Sequence, residues 1–136
     1  MLPLIDTHQH LWDLSRLELP WTGGIPQLNR SFLMSDYLQA SEGQKVSKTV
    51  YMEVDVHPDH RQREVEIISE ICSDASNPMQ AAVFCAEPGG VDFEPFIENN
   101  QNNPRIRGLR KVLHNPDIPK GACLKPQFVD GVRKLG

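Results

Sequence analysis

Few cysteines, no long apolar run and no excess of basic charge mark this 136-residue sequence. Its three cysteines, Cys72, Cys85 and Cys123, are odd in number and far apart. That spacing excludes a disulfide framework and a CxxC zinc site, and leaves reduced thiols in a cytoplasmic protein as the expectation. No apolar run approaches the roughly 20 residues of a membrane helix. The N-terminus has no basic stretch followed by an apolar block, so no secretory signal is expected. Lys and Arg total 14 against 18 Asp and Glu, a net charge of −4, which gives no basis for nucleic acid or an anionic membrane as partner. Neither GxGxxG nor GxxxxGK[ST] occurs, which removes support for nucleotide-binding sheets, and Gly89-Gly90 reads as a turn.

What is present is a regular alternation of patterns over a single domain, residues 1–136. Leu4 to Trp12 reads as a strand, followed by an irregular run, 13–30, with two prolines and two glycines. A loop of that length after a strand shapes a site or a lid. Ser35 is placed to cap a short helix ending near Gly43. Val46–Val56 has strand composition, and its alternation puts Val50, Met52, Val54 and Val56 toward helices and Thr49, Tyr51, Glu53 and Asp55 toward a polar interior. Val65, Ile68 and Cys72, with Ile67 and Ile71, form the apolar stripe of a helix that starts near Asp59 and is ended by Asn77-Pro78. Met79–Ala86 is almost wholly apolar, as in a strand buried on both faces. A helix from Phe93 to about Asn99 follows, with Asp92 as cap, then an Asn-rich connector. Ile106–His114 reads as a fourth strand, and a last helix starts near Pro126. Four strand–helix units argue an α/β fold with a parallel sheet, either a small open sheet or half of an eight-stranded barrel.

In such sheets ligands bind at the carboxyl ends of the strands. The first end carries His8 and His10, which alternation puts on one face with Asp6, and two neutral imidazoles there can share a divalent ion such as zinc. The second carries Glu53 and Asp55, with His57 beyond as a helix-entry residue. The third carries Cys85 and Glu87, and Cys85 is a small buried hydrophobe unless a base adjoins it. On the fourth, Gly108, Arg110, Val112 and His114 share the inner face, with Leu109 and Leu113 opposite and Arg107 and Lys111 nearer the wall. An inward Arg grips a substrate carboxylate or closes an internal salt bridge to Glu53 or Asp6. Trp12 and Trp21 line a pocket or pack the loop.

Ile5-Asp6-Thr7-His8-Gln9-His10-Leu11-Trp12 resembles the opening of the amidohydrolase-related proteins. The resemblance is specifically to the lactonase-like branch, which includes L-fuconolactonase-like and 2-pyrone-4,6-dicarboxylate lactonase-like enzymes. The resemblance continues through Pro20-Trp21, Arg30-Ser31-Phe32-Leu33, Tyr51-Met52-Glu53-Val54 and Arg107-Gly108-Leu109-Arg110-Lys111-Val112-Leu113-His114, so it spans essentially the whole chain. The HxH is common to many amidohydrolases; its combination with Arg-Gly-Leu-Arg on a fourth strand is more specific. The resemblance implies a (β/α)₈ barrel that hydrolyses lactones of sugar acids or related carboxylates, with a divalent metal in some members and none in others. It implies catalytic and metal-binding roles for His8 and His10, and substrate binding by Arg110 with Arg107, His114 and Glu53 beside it. Glu53 stands where relatives often carry a polar residue such as Gln. The later-strand histidines and terminal aspartate of the family would fall after Gly136. The expectation is therefore the N-terminal half of one barrel, inactive alone, partnered by a C-terminal half-barrel or by further copies, and acting on a small lactone or carboxylate. A metal-dependent decarboxylase and a non-catalytic half-barrel interaction unit are the alternatives.

Overall fold

The structure, a computed structural model, describes residues 2–136. Four strands, β1 Leu4–Gln9, β2 Val46–Met52, β3 Met79–Cys85 and β4 Ile106–Arg110, form one parallel sheet in the order β1-β2-β3-β4. Each is followed by one helix: α1 Met34–Ala40, α2 Arg61–Ser73, α3 Phe93–Asn100 and α4 Pro126–Arg133. The expected βα alternation is present, but the strands are shorter at their carboxyl ends. β2 stops at Met52 rather than Val56, and β4 at Arg110 rather than His114. The residues beyond those ends leave the ladder and form the walls of a cavity.

The core lies between the sheet and its helices. Tyr51, Met79, Ala82 and Phe84 from β2 and β3 are buried with Val65, Ile67, Ile68 and Cys72 from α2. The stripe that predicts α2 is thus the stripe that packs, at about 1.5–3 kcal/mol for each large side chain removed from water. A 3₁₀ turn, Pro58–His60, leads into α2, with proline where no N–H is needed. At the other end the Asn77 side chain donates to the carbonyls of Ile71 and Asp74, both at 3.0 Å, and satisfies groups the helix leaves open. The cap of α1 differs from expectation. The helix begins at Met34, and the Asp36 carboxylate accepts the Leu33 N–H at 2.7 Å, so Ser35 lies inside the first turn.

The Asn-rich connector is also more than a linker. Asn100 is buried and donates to Gln62 Oε1 at 2.9 Å and to the Phe96 carbonyl at 2.8 Å, and Asn103 donates to Ser69 Oγ at 2.8 Å. These bonds tie the end of α3 to α2.

Two phase changes correct the expected faces. In β1 the register runs Asp6↔Thr49 and then Gln9↔Tyr51, one residue more on β1 than on β2. This bulge, closed by His8 N–H donating to Asp6 Oδ1 at 3.0 Å, separates Asp6 from the histidines. Asp6 accepts the Tyr37 hydroxyl of α1 at 2.8 Å, and Gln9 is buried against Thr49 Oγ1 at 2.5 Å. In β2, Thr49 and Tyr51 are wholly buried on the helix side, while Val50 and Met52 are half-buried on the other. The expected alternation is inverted over 49–52 and holds only from Glu53 onward, where the chain has left the strand. On β4, Leu109 packs on the core as expected, but Leu113 lies past the strand end and is exposed.

The turn at Gly89-Gly90 has a second role. Gly89 has φ +80°, and a Cβ there would lie 2.5 Å from the Gln127 carbonyl oxygen of α4. A Cβ on Gly131 would lie 2.6 Å from the Gly89 nitrogen. The two glycines let α4 seat its backbone directly on the turn after β3. Among the described residues no helix is long and apolar enough to cross a membrane.

Candidate active site

The carboxyl edge of the sheet opens into a cavity of about 790 Å³. The chain just after each of β1 and β2, and the end of β4 with the segment beyond it, contribute to its lining. His10 comes from the first, Glu53 and Asp55 from the second, and Arg110, His114 and Asn115 from the fourth. Trp12 and Trp21 close the cavity from the long β1–α1 loop. Backbone bonds in both directions between Trp12 and Phe32, 2.8 and 2.9 Å, pinch the ends of that loop together. Within it Trp12 Nε1 donates to the Arg30 carbonyl, and Trp21 Nε1 reaches across to the Val54 carbonyl, each at 2.7 Å.

His10 is fixed by its neighbours. Its Nδ1 lies 2.9 Å from the Met52 carbonyl, which can only accept, so Nδ1 carries the proton and Nε2 keeps its lone pair. Burial holds its pKa below the usual imidazole value; the nearby His8 and Arg110 add to this, against the pull of the Met52 carbonyl. The shift favours the neutral ring, in which Nε2 is the nitrogen left to act as a base.

Glu53 is fully buried and forms a 2.9 Å ion pair with Arg110 Nη1, whose side chain is 35% exposed. Its second oxygen accepts the Asp55 N–H at 2.7 Å. Burial nevertheless raises the Glu53 pKa, and the Asp55 N–H and Arg110 oppose this only in part. Asp55 sits at φ +52°, a left-handed conformation unusual for a residue other than glycine, and accepts Asn115 Nδ2 at 3.2 Å. That twist turns the backbone so that Glu53 and Asp55 both reach the cavity.

The structure brings His10, Glu53, Arg110 and His114 to one cavity. His8 lies beside His10, ring centroids 4.8 Å apart and edge to face; both are exposed, but His8 is outside the lining. Arg107 points away from the cavity into solvent. His57 takes the helix-entry place, its Nδ1 accepting the Asp59 N–H at 3.3 Å, and also lines the cavity wall.

Two groupings could hold a metal ion. Donor atoms of Glu53, Asp55 and Cys85 lie within 4.8 Å of one another. Both Glu53 oxygens are already engaged, and burial pushes the Cys85 thiol up to about 11, so this set does not suit a cation. The histidine pair suits one better, because the Met52 carbonyl takes Nδ1 of His10 and leaves Nε2 as its ligand atom.

Solved structures this chain is similar to include amidohydrolases. It is similar over 99% of its length to amidohydrolase 2 from Bifidobacterium longum subsp. infantis, at 26% identity and a TM-score of 0.70, covering 48% of that chain. An amidohydrolase from Burkholderia multivorans matches 98% of the chain at 21% identity and a TM-score of 0.73, covering 45% of that protein, in crystals with bound HEPES and with bound zinc. The uncharacterized protein y4mH of Sinorhizobium fredii is 23% identical over 122 residues, 83% of this chain and 41% of that protein. The chain thus spans somewhat less than half the length of the relatives it matches. No family model matches it.

One buried group was not foreseen from the sequence. Glu64 of α2 is wholly buried, and its Oε1 accepts the Tyr51 hydroxyl at 2.7 Å and the Val54 N–H at 3.3 Å. The signal was available: Glu64, Ile68 and Cys72 follow i, i+4, i+8, which puts a carboxylate inside the apolar stripe.

Proposed function

We propose that this chain is the first half of an amidohydrolase-type (β/α)₈ barrel that opens the lactone of a sugar acid or a similar carboxylate by attack of water. The observation that carries the reading is the convergence, in one cavity, of a His10 held through Nδ1 by the Met52 carbonyl and an Arg110 aimed by a buried Glu53.

Arg110 spends one Nη1 bond on Glu53, and its remaining N–H groups are the donors for a substrate carboxylate. Glu53 thereby fixes the direction of the guanidinium before substrate arrives. His10 Nε2 is the acceptor that removes a proton as the water oxygen bonds to the lactone carbonyl carbon. The ring C–O bond then breaks, and the proton passes to the departing alkoxide, leaving a hydroxy acid. His114 lines the same cavity as a further donor, and Trp12 and Trp21 exclude water from its apolar side. Where a divalent ion is bound, His8 and His10 are the residues that would hold it, and it would polarise the lactone carbonyl. A zinc-bound amidohydrolase of the same fold is compatible with that role.

The relatives' greater length supports a second set of βα units that completes the site, so the 136-residue chain by itself is expected to be inactive. The test is lactone opening, followed in a pH-stat with sugar-acid lactones and pyrone carboxylates, by the barrel that contains this sequence. His10→Ala and Arg110→Met are each expected to lower kcat/KM at least about 100-fold, the scale of lost acid–base catalysis. Full turnover in a folded His10→Ala variant sinks the assignment. Release of carbon dioxide instead of acid would identify a decarboxylase.

A further inference from the structure

We infer that Glu64 is a positioning residue, which acts from α2 through the backbone of residues 51–54 to hold His10 and the Glu53–Arg110 pair in place. The inference rests on the proposed role of that cavity and extends it to a group that does not touch it.

Among the described residues, only two buried side-chain polar atoms lack a partner, and one is Glu64 Oε2. The packing of α2 does not require a carboxyl there, since Val65, Ile68 and Cys72 already fill the interface with β3. A buried carboxyl with an open oxygen costs stability that an apolar side chain of the same shape would not. Its other oxygen serves just two groups. One is the Tyr51 hydroxyl, which also lies 3.3 Å from the Leu11 carbonyl. The other is the Val54 N–H.

These contacts bracket the site. Met52, whose carbonyl fixes the His10 tautomer, and Glu53, which aims Arg110, stand between Tyr51 and Val54. Leu11 follows His10 directly. Val54 also offers its carbonyl to Trp21 of the loop. One carboxyl oxygen on a helix therefore sets the backbone that carries the acceptor for His10, the partner of Arg110 and the anchor of the cavity wall. The Tyr51 hydroxyl stays a donor throughout, because burial and Glu64 push its pKa well above the ordinary value.

The test reads His10 itself. Long-range ¹H–¹⁵N spectra of the full chain assign the imidazole tautomer without substrate or metal, so the outcome stands apart from the lactonase reading. Wild type is expected to show one tautomer, protonated at Nδ1. Glu64→Gln keeps an acceptor oxygen for Tyr51 and Val54 and is expected to keep that tautomer. Glu64→Leu removes the acceptor and is expected to give a mixture, with the Nε2-protonated form raised at least about fivefold, the size of one lost hydrogen bond. Tyr51→Phe, which breaks one of the two links, is expected to fall between. A folded Glu64→Leu variant with the wild-type tautomer overturns the inference, as does a Glu64→Gln variant that loses it equally. If Glu64→Leu does not fold, Tyr51→Phe decides alone, and an unchanged His10 signature there overturns the inference.

Discussion

Replacing Arg110 by methionine leaves Glu53 fully buried without its counterion. Breaking a buried ion pair by removing one partner costs about 3–5 kcal/mol. Because the Arg110 side chain is 35% exposed, part of its field is already screened by water, and the lower end, about 3 kcal/mol, is expected. Glu53→Gln keeps an acceptor for the Asp55 N–H and for Arg110 and should cost about 1 kcal/mol. The double variant should cost little more than Glu53→Gln alone, so the coupling from the four urea-denaturation curves is about 3 kcal/mol. The pH dependence sharpens the test. Burial already raises the Glu53 pKa, and loss of Arg110 removes one of the groups that hold it down. A carboxyl whose folded pKa lies above its unfolded value adds stability below the unfolded value and loses it as pH rises through the folded one. The Arg110→Met deficit is therefore expected to shrink between pH 7 and pH 4.5. A coupling below about 0.5 kcal/mol, or a deficit independent of pH, would refute the view that Glu53 depends on Arg110.

Three further outcomes follow from other parts of the fold. Burial lifts Glu64 from 4.5 to about 7, so on the same sign argument it contributes on the order of 3 kcal/mol below pH 4.5, lost as pH rises through 7. Glu64→Gln should flatten that stretch of a stability-versus-pH curve measured by urea titration. Gly131→Ala puts a Cβ 2.6 Å from the Gly89 nitrogen, and is expected to destabilise by about 1–3 kcal/mol through displacement of α4, seen as a lowered thermal midpoint and faster amide exchange over 126–133. Phe84→Ala, at the centre of the sheet, should cost about 3–5 kcal/mol in chemical denaturation.

Much of this was legible from pattern. The order of strands and helices was readable because each carries its own period: 3.6 in α2, and a dense apolar run in β3. Positions at the carboxyl ends of the strands pointed to His10, Glu53, Arg110 and His114 because βα topology gathers those ends whatever the sequence between them. Periodicity alone could not find the β1 bulge, since an extra residue changes the face of everything after it and leaves no mark on composition. Asp6 was therefore grouped with His8 and His10, although it bonds Tyr37 on the helix side. For the same reason the polar face of β2 was assigned to the interior, when Thr49 and Tyr51 find their partners among buried side chains. Arg107 stayed a candidate because sequence adjacency to Arg110 says nothing about which way a side chain leaves the strand. Glu64 was passed over because a charge on a helix usually marks the solvated side.

A sheet whose spatial order repeats its chain order has a consequence for how the molecule forms. Every strand pairs only with its predecessor and successor, so the polypeptide can add one βα unit at a time, without waiting for a distant segment to insert between strands already joined. The Glu53–Arg110 contact, with Asp55–Asn115 beside it, instead reaches from the end of β2 to β4 and beyond, linking residues 57 and 60 apart. Until β4 has docked, Glu53 has no Arg110 guanidinium beside it, so the ion pair at the cavity forms only when the fourth strand joins the sheet.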